Sequence, residues 1–356
     1  MAKLTKIMLI IILIILIVSV SIVLFMNSKK FGQLPKGERL QRIKDSPNYR
    51  DGKFQNLEST KQFTSEKKSV FSLLDFFFRK SDDLKPSTKI EVEKNNLYNL
   101  NPQKNNIVWF GHSSYLLQLK TNSFLVDPVF VAASPVSFFN KAFKGTDIYK
   151  PEDIPDFDYL IITHDHWDHL DYETVKQLKG RFKKVICPLG VGQHFQHWGF
   201  ASDEIIELDW NQQAFLDDNI NIYCLPARHF SGRSLVSNQT LWASFLIEID
   251  NKKVFLSGDG GYGEHFKTIG ETFEEIDFAI LENGQYNQDW KYIHMIPDKL
   301  ELAIQDLNAQ KVMTTHHSKY ALSKHPWNEP LENVKKLKEK GVNILMPKIG
   351  EIVELY

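Results

Sequence analysis

The stretch Thr163-His164-Asp165-His166-Trp167-Asp168-His169 decides both the fold and the chemistry expected of this chain. It follows the apolar run Tyr159-Leu160-Ile161-Ile162, which is typical of a buried strand. On extended backbone, residues two apart point to the same side, so His164 and His166 can converge on one ion. The pair Asp168-His169 comes at the turn into a helix, where it can supply oxygen and nitrogen to a second, adjacent ion. The pattern favours a metal centre over a solvent-exposed strand end.

Three later segments, each predicted to lie at the end of a strand, can complete such a centre. They contain His229, Asp259 and the pair His316-His317. Taken singly, each has an ordinary explanation as a loop histidine or a turn aspartate. Taken together, they complete two sites, because an aspartate at a glycine-rich strand end can bridge two ions roughly 3.5–4 Å apart. Histidine and carboxylate ligands favour zinc, and manganese or iron also accept them.

Length and composition are ordinary for a globular protein. The chain has 356 residues, of which 42% are apolar and 24% charged, so a core of useful size is available. The formal charge is -1, from 43 basic and 44 acidic side chains. This balance gives no support for a nucleic-acid surface, which normally shows a basic excess. The two cysteines, Cys187 and Cys224, make no disulfide framework.

The N-terminal region predicts a membrane anchor. Ile7 through Met26 is an uncharged run of 20 residues, and a helix of this length spans a hydrocarbon core of roughly 30 Å. A cleaved signal peptide is the alternative, but the run is long and no small-x-small cleavage motif follows it. Basic residues flank the run on both sides, so the sequence leaves its orientation in the membrane open.

Residues 31–68 are interpreted as a juxtamembrane segment with little regular structure, because they are polar and charged and are interrupted by proline and glycine. After them, Phe71 to Lys80 is a short aromatic run. One interpretation is an amphipathic helix on the membrane or beside a lipid entry route. A helix packed on the catalytic core is favoured, because the run has no basic stripe.

From residue 101 onward, predicted strands and helices alternate, which indicates an α/β protein whose sheets are covered by helices. A hairpin is expected around Asp250-Asn251-Lys252, and Asp171 is a suitable N-cap for the helix that follows the histidine-rich stretch. The other predicted strands are 107–110, 123–127, 159–163, 185–187 and 220–225, and the predicted helices are 172–179, 298–307 and 329–340.

The order of these ligands resembles the metallo-β-lactamase superfamily. Flanking motifs are similar to those of the N-acyl-phosphatidylethanolamine phospholipase D branch, which is related to the L-ascorbate-6-phosphate lactonases. The motifs are Gly111-His112-Ser113-Ser114, Asp127-Pro128-Val129-Phe130, Ala133-Ser134-Pro135, Asp168-His169-Leu170-Asp171, Glu207-Leu208-Asp209-Trp210, Gly258-Asp259-Gly260-Gly261-Tyr262 and His294-Met295-Ile296-Pro297. The resemblance covers about residues 105–356.

This resemblance implies a four-layer αββα sandwich with the metals at one edge of the paired sheets. The expected organisation is an anchor at 1–28, the juxtamembrane segment at 29–100 and a catalytic domain at 101–356. One implied site consists of His164, His166 and His229. The second consists of Asp168, His169 and His316, with Asp259 bridging. His316 is chosen over His317 because only His316 fits the family spacing, although the tryptophan and glycine that follow it in the family are absent.

The implied chemistry is hydrolysis by a hydroxide that two metal ions activate. Asp168 is expected to orient the nucleophile. His294 is a candidate for contacting the substrate or protonating the leaving group, with a structural histidine beside a helix start as the equal alternative. Arg233 is a candidate for pairing with a phosphate, with a surface salt bridge as the alternative. Tyr262 is predicted to contact the substrate. Ile293 replaces the glutamine of mammalian members of the branch, which puts the headgroup preference in doubt.

The favoured function is therefore a metal-dependent phosphodiesterase of phospholipase D type, acting on N-acyl phosphatidylethanolamine or a similar membrane lipid. A lactonase or another small-ester hydrolase is the enzymatic alternative. A membrane-tethered structural or sensor protein is the non-enzymatic one, and it would be expected to lack some of the ligands. A β-lactamase fits the flanking motifs less well. A nuclease is disfavoured by the neutral charge.

Overall fold

The computed structural model describes residues 2–64, 83–216 and 220–356, and the predicted aromatic helix at 71–80 lies outside them. Two seven-stranded mixed sheets form its centre. The first sheet has the strand order β16-β3-β4-β5-β6-β7-β8. Its strands are β3 (Asn106–Trp109), β4 (Tyr115–Leu119), β5 (Asn122–Val126), β6 (Tyr159–Ile161), β7 (Lys184–Pro188), β8 (Ile205–Leu208) and β16 (Ile352–Glu354).

The second sheet has the order β15-β14-β13-β12-β11-β10-β9. Its strands are β9 (Gln212–Phe215), β10 (Ile220–Leu225), β11 (Ser244–Ile249), β12 (Lys252–Leu256), β13 (Phe278–Glu282), β14 (Val312–Thr315) and β15 (Ile344–Leu345). In each sheet one half is antiparallel and the other parallel: β5 to β8 run parallel in the first, and β12 to β15 in the second.

Alternating side chains distribute each strand between two apolar layers, as expected for strands buried on both faces. In β3, Ile107 and Trp109 join the core between the two sheets, whereas Val108 joins the outer core of the first sheet. In β11, Phe245 belongs to the core between the sheets and Leu246 to the outer core of the second sheet. The sheets therefore pack face to face.

Helices cover the outer faces and complete the four-layer αββα sandwich. The helices over the first sheet are α3 (Tyr172–Leu178) and α4 (Gly192–His197), and those over the second are α5 (His265–Phe273), α6 (Pro297–Asp306) and α7 (Glu329–Glu339). Short 3₁₀ turns lie at Lys29–Phe31, Leu97–Asn99, Pro151–Asp153, Ser202–Glu204 and Gln288–Trp290. As predicted, Asp171 caps α3, and its carboxylate accepts a hydrogen bond from the backbone N–H of Glu173.

The N-terminal helix α1 (Ala2–Met26) is long and apolar enough to span a membrane. Its apolar stretch is not buried against the rest of the described chain. In water, so many exposed apolar side chains would be unfavourable.

The expectation of little regular structure after α1 is wrong for the residues that the structure describes. Helix α2 (Gly37–Asp45) and a hairpin of β1 (Tyr49–Arg50) and β2 (Lys53–Phe54) pack on the catalytic domain. Ile43 and Phe54 are fully buried in the core between the sheets. The polar composition concealed this docking, because only a few apolar side chains make the contact.

Candidate metal centre

The predicted ligands meet at one edge of the sandwich, where parallel strands of both sheets end. The histidine-rich stretch follows β6 of the first sheet and runs into α3. His229 follows β10, Asp259 follows β12 and His316 follows β14, all in the second sheet. We refer to His164, His166, Asp168, His169, His229, Asp259 and His316 as the ligand cluster. These residues fall into overlapping groups of neighbours. Each residue of a group offers one ligand atom, and the ligand atoms of a group all lie within 4.8 Å of one another.

One side of the ligand cluster consists of three imidazoles. His164 Nε2 lies 2.9 Å from His166 Nδ1, and His229 Nε2 lies 3.3 Å from the same atom. The opposite nitrogen of His229 is 2.7 Å from the carbonyl oxygen of Ile293, which fixes the orientation of the ring. Three ring nitrogens thus converge. The alternating spacing pointed to His164 and His166, and the family resemblance implied His229.

Asp259 lies between the two sides of the ligand cluster. Its Oδ2 is 3.2 Å from His169 Nε2, 3.2 Å from His316 Nε2 and 3.8 Å from His229 Nε2. The turn that carries it requires glycine, because Gly258 has a φ of +60° and a Cβ there would lie 2.9 Å from the carbonyl oxygen of Ala243. The glycine-rich strand end therefore gives this carboxylate its central place.

Asp168 occupies the other side of the ligand cluster. Its Oδ2 lies 3.5 Å from His316 Nε2 and 3.8 Å from His169 Nε2. It is closest to His112, whose Nε2 is 2.9 Å away. His112 is fully buried in the turn between β3 and β4, and its backbone pairs with those of His316 and His317. The side chain of Asp168 is 16% exposed, so the cluster is open to solvent on this side.

Two further buried carboxylates orient the histidines from behind. Asp127 Oδ2 lies 2.8 Å from His169 Nδ1 and accepts a hydrogen bond from the Thr163 hydroxyl. Glu282, the last residue of β13, lies 3.0 Å from His316 Nδ1 and also accepts from the backbone N–H of Gly260. Carboxylates in this position fix the ring orientation of a metal-binding histidine and raise its basicity.

Burial lowers the pKa values of the three histidines on the first side. The pKa of His164 and that of His229 lie well below the usual value, chiefly because the charged rings would lose their hydration. Burial also lowers the pKa of His166, to about 4. At neutral pH these rings are neutral, which is the form that binds metal.

Carboxylates reverse this effect on the second side. Burial alone would lower the pKa of His169, but Asp259, Asp127 and Asp168 raise it well above the usual value. The same competition, with Asp259 as the largest opposing influence, raises the pKa of His316 to about 10. Burial would raise the pKa of Asp259, yet the charge on His169 holds it well below the usual range. Protons therefore balance the carboxylate charge where no metal does so.

The residues fit two adjacent divalent ions. Asp259 Oδ1 and His169 Nε2 are buried and make no hydrogen bond of good geometry within the described ranges, although His169 Nε2 has an ionic contact with Asp259 Oδ2 at 3.2 Å. Leaving such atoms unpaired is costly, and each lies beside the other ligand atoms of the cluster. A metal ion would satisfy both, and the mixture of imidazole and carboxylate donors suits zinc, manganese or iron.

His294 lies beside the ligand cluster. Its ring stacks on that of His316, with centroids 5.3 Å apart, and contacts His229 at 5.0 Å. Its Nδ1 hydrogen-bonds Glu282, and its side chain is 14% exposed. His317, by contrast, faces the ring of Trp109 and is not brought to the cluster.

The structure does not bring Arg233 or Tyr262 to the ligand cluster. The Arg233 guanidinium is buried over the Trp167 ring and donates hydrogen bonds to the carbonyl oxygens of Asp165 and Leu170. It is therefore neither a free phosphate ligand nor part of a surface salt bridge. The Tyr262 hydroxyl donates to Asp306 on α6 at 2.6 Å, so it is occupied within the fold.

The family model of the β-lactamase superfamily domain matches residues 122–317, a range that contains the whole ligand cluster. The chain belongs to the metallo-β-lactamase superfamily. It is a metal-dependent hydrolase of this superfamily. The two packed sheets and the clustered ligands both agree with that membership.

Relatives of this metallohydrolase extend the likeness over most of the chain. An uncharacterized protein of Mycobacterium tuberculosis is 35% identical over 315 residues, which are 87% of this chain and 84% of that protein. The N-acyl-phosphatidylethanolamine-hydrolyzing phospholipase D 1 of Caenorhabditis elegans is 30% identical over 269 residues, which are 69% of this chain and 74% of that protein.

Among solved structures, this metallohydrolase is similar to Igni18, a metallo hydrolase from the archaeon Ignicoccus hospitalis. The TM-score is 0.52 at 22% sequence identity, over 70% of this chain and 97% of that one. At this identity the likeness shows the fold alone.

Sequence reasoning assigned no role to His112, Asp127 and Glu282 in this metallohydrolase. His112 and Asp127 stand in quoted motifs, but nothing in their spacing connects them with ligands 56 and 42 residues away. Glu282 ends an apolar strand, which is the one signal that could have marked it. A carboxylate at the end of a buried strand, beside other strand ends that bear ligands, is unfavourable unless it is paired.

Proposed function

We propose that this chain is a two-metal phosphodiesterase of phospholipase D type, acting on N-acyl phosphatidylethanolamine or a similar membrane lipid. The observation that carries the two-metal part is the place of Asp259, whose carboxylate lies between the two groups of ligands. The choice of a lipid phosphodiester is supported by the Caenorhabditis elegans relative, which hydrolyses N-acyl-phosphatidylethanolamine.

In this proposal, His164, His166 and His229 would hold one ion. Asp168, His169 and His316 would hold the second, and Asp259 would serve as a ligand to both. Zinc is the proposed metal, with manganese and iron as alternatives that the same donors accept. When bound, the two ions supply the Lewis acidity that lowers the pKa of a shared water and stabilises negative charge on the substrate.

Asp168 is proposed to orient the attacking water as well as to bind metal. His112 supports both roles, because it holds one oxygen of this carboxylate at 2.9 Å and limits its rotation. Asp168 is also at the open side of the ligand cluster, where its side chain is partly exposed. A carboxylate that is fixed and close to water can accept a proton from the nucleophile.

His294 is the proposed donor to the leaving group. Glu282 occupies its Nδ1, so Nε2 is the nitrogen left to meet a substrate. The ring lies at the exposed rim beside His316 and His229. A histidine oriented in this way can hydrogen-bond to the leaving oxygen and protonate it as it departs.

The ligand cluster alone would equally serve a lactone or another small ester, and this is the alternative function. Only the relative's substrate and the apolar helix α1 favour a lipid phosphodiester. A structural or sensor protein is less consistent with a full set of ligands whose orientation is supported by buried carboxylates.

The test is hydrolysis by the purified full chain of N-acyl phosphatidylethanolamine in vesicles and of a simple lactone, each with and without a chelator. We expect release of phosphatidic acid that stops on chelation and returns when zinc is restored. Faster turnover of the lactone would support the alternative. Turnover that survives complete metal removal would overturn both functions.

A further inference from the structure

The segment that follows α1 is fixed to the catalytic domain at its first residues. The carbonyl oxygen of Lys29 accepts a hydrogen bond from Trp198 Nε1 at 2.7 Å, and that of Lys30 accepts one from Arg233 at 2.9 Å. The backbone N–H of Gln33 donates to His194 Nδ1 at 3.1 Å. At most about 14 Å of extended chain separates Met26 from Lys30. The domain therefore cannot move far from the end of α1.

Two loops with exposed apolar side chains lie beside this attachment. In the first, Phe138 is 64% exposed, and Lys30 Nζ reaches this loop by donating to the carbonyl oxygen of Pro135. In the second, Leu235 is 88% exposed, and its neighbour Val236 lines the same cavity of about 150 Å³ as Met26 at the end of α1. Both loops thus flank the point where α1 meets the domain.

We propose that Phe138, Phe139, Leu235 and Val236 form a lipid-docking surface that inserts into the interfacial region of the bilayer around α1. The partner of this surface is the bilayer leaflet at the C-terminal end of that helix. A soluble domain gains nothing from showing these side chains to water, whereas at an interface their burial is favourable. The exposed Lys141 lies two residues after Phe139, and the exposed Lys29 lies in the attachment segment after α1, where both suit anionic headgroups.

This surface would place the ligand cluster beside the headgroups. The ring of Phe31, at the end of the attachment, contacts that of Trp167 with centroids 4.9 Å apart. Trp167 lies between two members of the cluster, His166 and Asp168. The inference rests on α1 spanning the membrane, the feature that favours a lipid substrate in the proposed function, but it does not depend on the reaction that the site performs.

The direct test uses a fluorophore at single positions of the full chain. Leu235→Cys and Phe138→Cys are each labelled with a small environment-sensitive dye, and the chain is reconstituted into phosphatidylcholine vesicles that contain phosphatidylglycerol. Cys187 and Cys224 are fully buried, so the unmodified chain measures the background labelling. Quenching by lipids with a spin label near the headgroup then reports proximity to the bilayer.

Phe215→Cys is the matched control. Phe215 is 78% exposed, and it pairs with Asn221 near the start of β10, whereas the ligand cluster follows the other end of that strand. We expect at least threefold stronger quenching at Leu235 and Phe138 than at Phe215. Equal quenching at all three positions would overturn the docking surface. Quenching that disappears when the protein is diluted in excess lipid would overturn it in favour of contact between copies of the chain.

A second measurement separates this inference from the proposed reaction. The variant Leu235→Asp/Phe138→Asp should turn over a bilayer phosphodiester at least tenfold more slowly, while its rate on a water-soluble phosphodiester stays within twofold. If the variant loses the same factor in rate on both substrates, relative to the unmodified chain, the docking surface is contradicted. If the unmodified chain hydrolyses neither phosphodiester but the labels are quenched, the proposed function fails and the docking surface stands.

Discussion

Glu282 holds two histidine rings of the metal centre in place and also accepts a hydrogen bond from the loop that carries Asp259. Replacing it with glutamine keeps the size of the side chain but turns one oxygen into a donor that faces other donors. We expect Glu282→Gln to weaken metal retention by about 10–100-fold, as is typical for such supporting groups. Chelator competition measures this affinity.

Glu248→Gln is a suitable control for that variant. Glu248 also lies on a strand of the second sheet, but its carboxylate accepts from the Tyr223 hydroxyl, outside the ligand cluster. The substitution Glu248→Gln should therefore leave the metal affinity unchanged. Equal metal retention in the two variants would contradict the supporting role of Glu282.

Metal binding should release protons. His169 and His316 have raised pKa values, so both are protonated at neutral pH in the metal-free protein. A bound metal must displace these protons, and we expect about two released per chain and an affinity that falls as the pH is lowered. Calorimetry in buffers of different ionisation enthalpy counts them. No dependence on the buffer would show that the two rings are already neutral.

At this scale the sequence predicted the ligands better than their supports. The alternation of His164 and His166 follows from strand geometry and needs no tertiary information. His112 could not be derived in this way, because its position beside Asp168 depends on the turn between β3 and β4 meeting the loop after β6. Arg233 was misinterpreted for a related reason: an arginine near a metal ligand in sequence can still point into the fold.

At the scale of elements, the segment from Lys29 to Gln33 couples α1 to the catalytic domain. Gly32 has a φ of +73°, and a Cβ there would lie 2.0 Å from His194 Nδ1. Gly32→Ala should lower the free energy of unfolding by about 2–4 kcal/mol, through backbone strain and the displaced ring. Denaturant unfolding in a mild detergent measures the loss.

Gly37→Ala separates those two contributions. Gly37 also has a positive φ, +57°, but a Cβ there would meet nothing within 4 Å. It should therefore lose only the strain energy, about 1–2 kcal/mol. If both alanine variants lose the same free energy, the close packing of Gly32 on His194 contributes nothing to stability.

The secondary structure of the catalytic domain was predictable where one physical signal dominated. The hairpin of β11 and β12 has its turn at Asp250-Asn251, where both residues adopt positive φ, as asparagine and aspartate tolerate. The docking of α2 was not predictable, because one fully buried residue, Ile43, supplies its apolar contact in an otherwise polar segment.

At the scale of the whole molecule, α1 is the one described helix that is long and apolar enough to span a membrane, and the fold leaves its apolar stretch uncovered. Removing residues 1–28 should move the protein from the membrane to the aqueous fraction, because the apolar surface of α1 is lost. The remaining chain keeps the core and the segment from Lys29 to Gln33. Hydrolysis of a water-soluble substrate should survive. Flotation with vesicles checks the partition. The docking surface alone should hold the truncated chain only weakly, so flotation as complete as that of the full chain would contradict anchoring by α1.

The central claim is a pair of metal ions that share Asp259. Metal analysis of the purified chain and of Asp259→Ala, with circular dichroism to confirm folding, tests it most directly. We expect about two transition-metal ions per folded chain in the unmodified protein, and loss of both metal and activity in the variant. One tightly held ion in the unmodified chain, or full activity without Asp259, would contradict it.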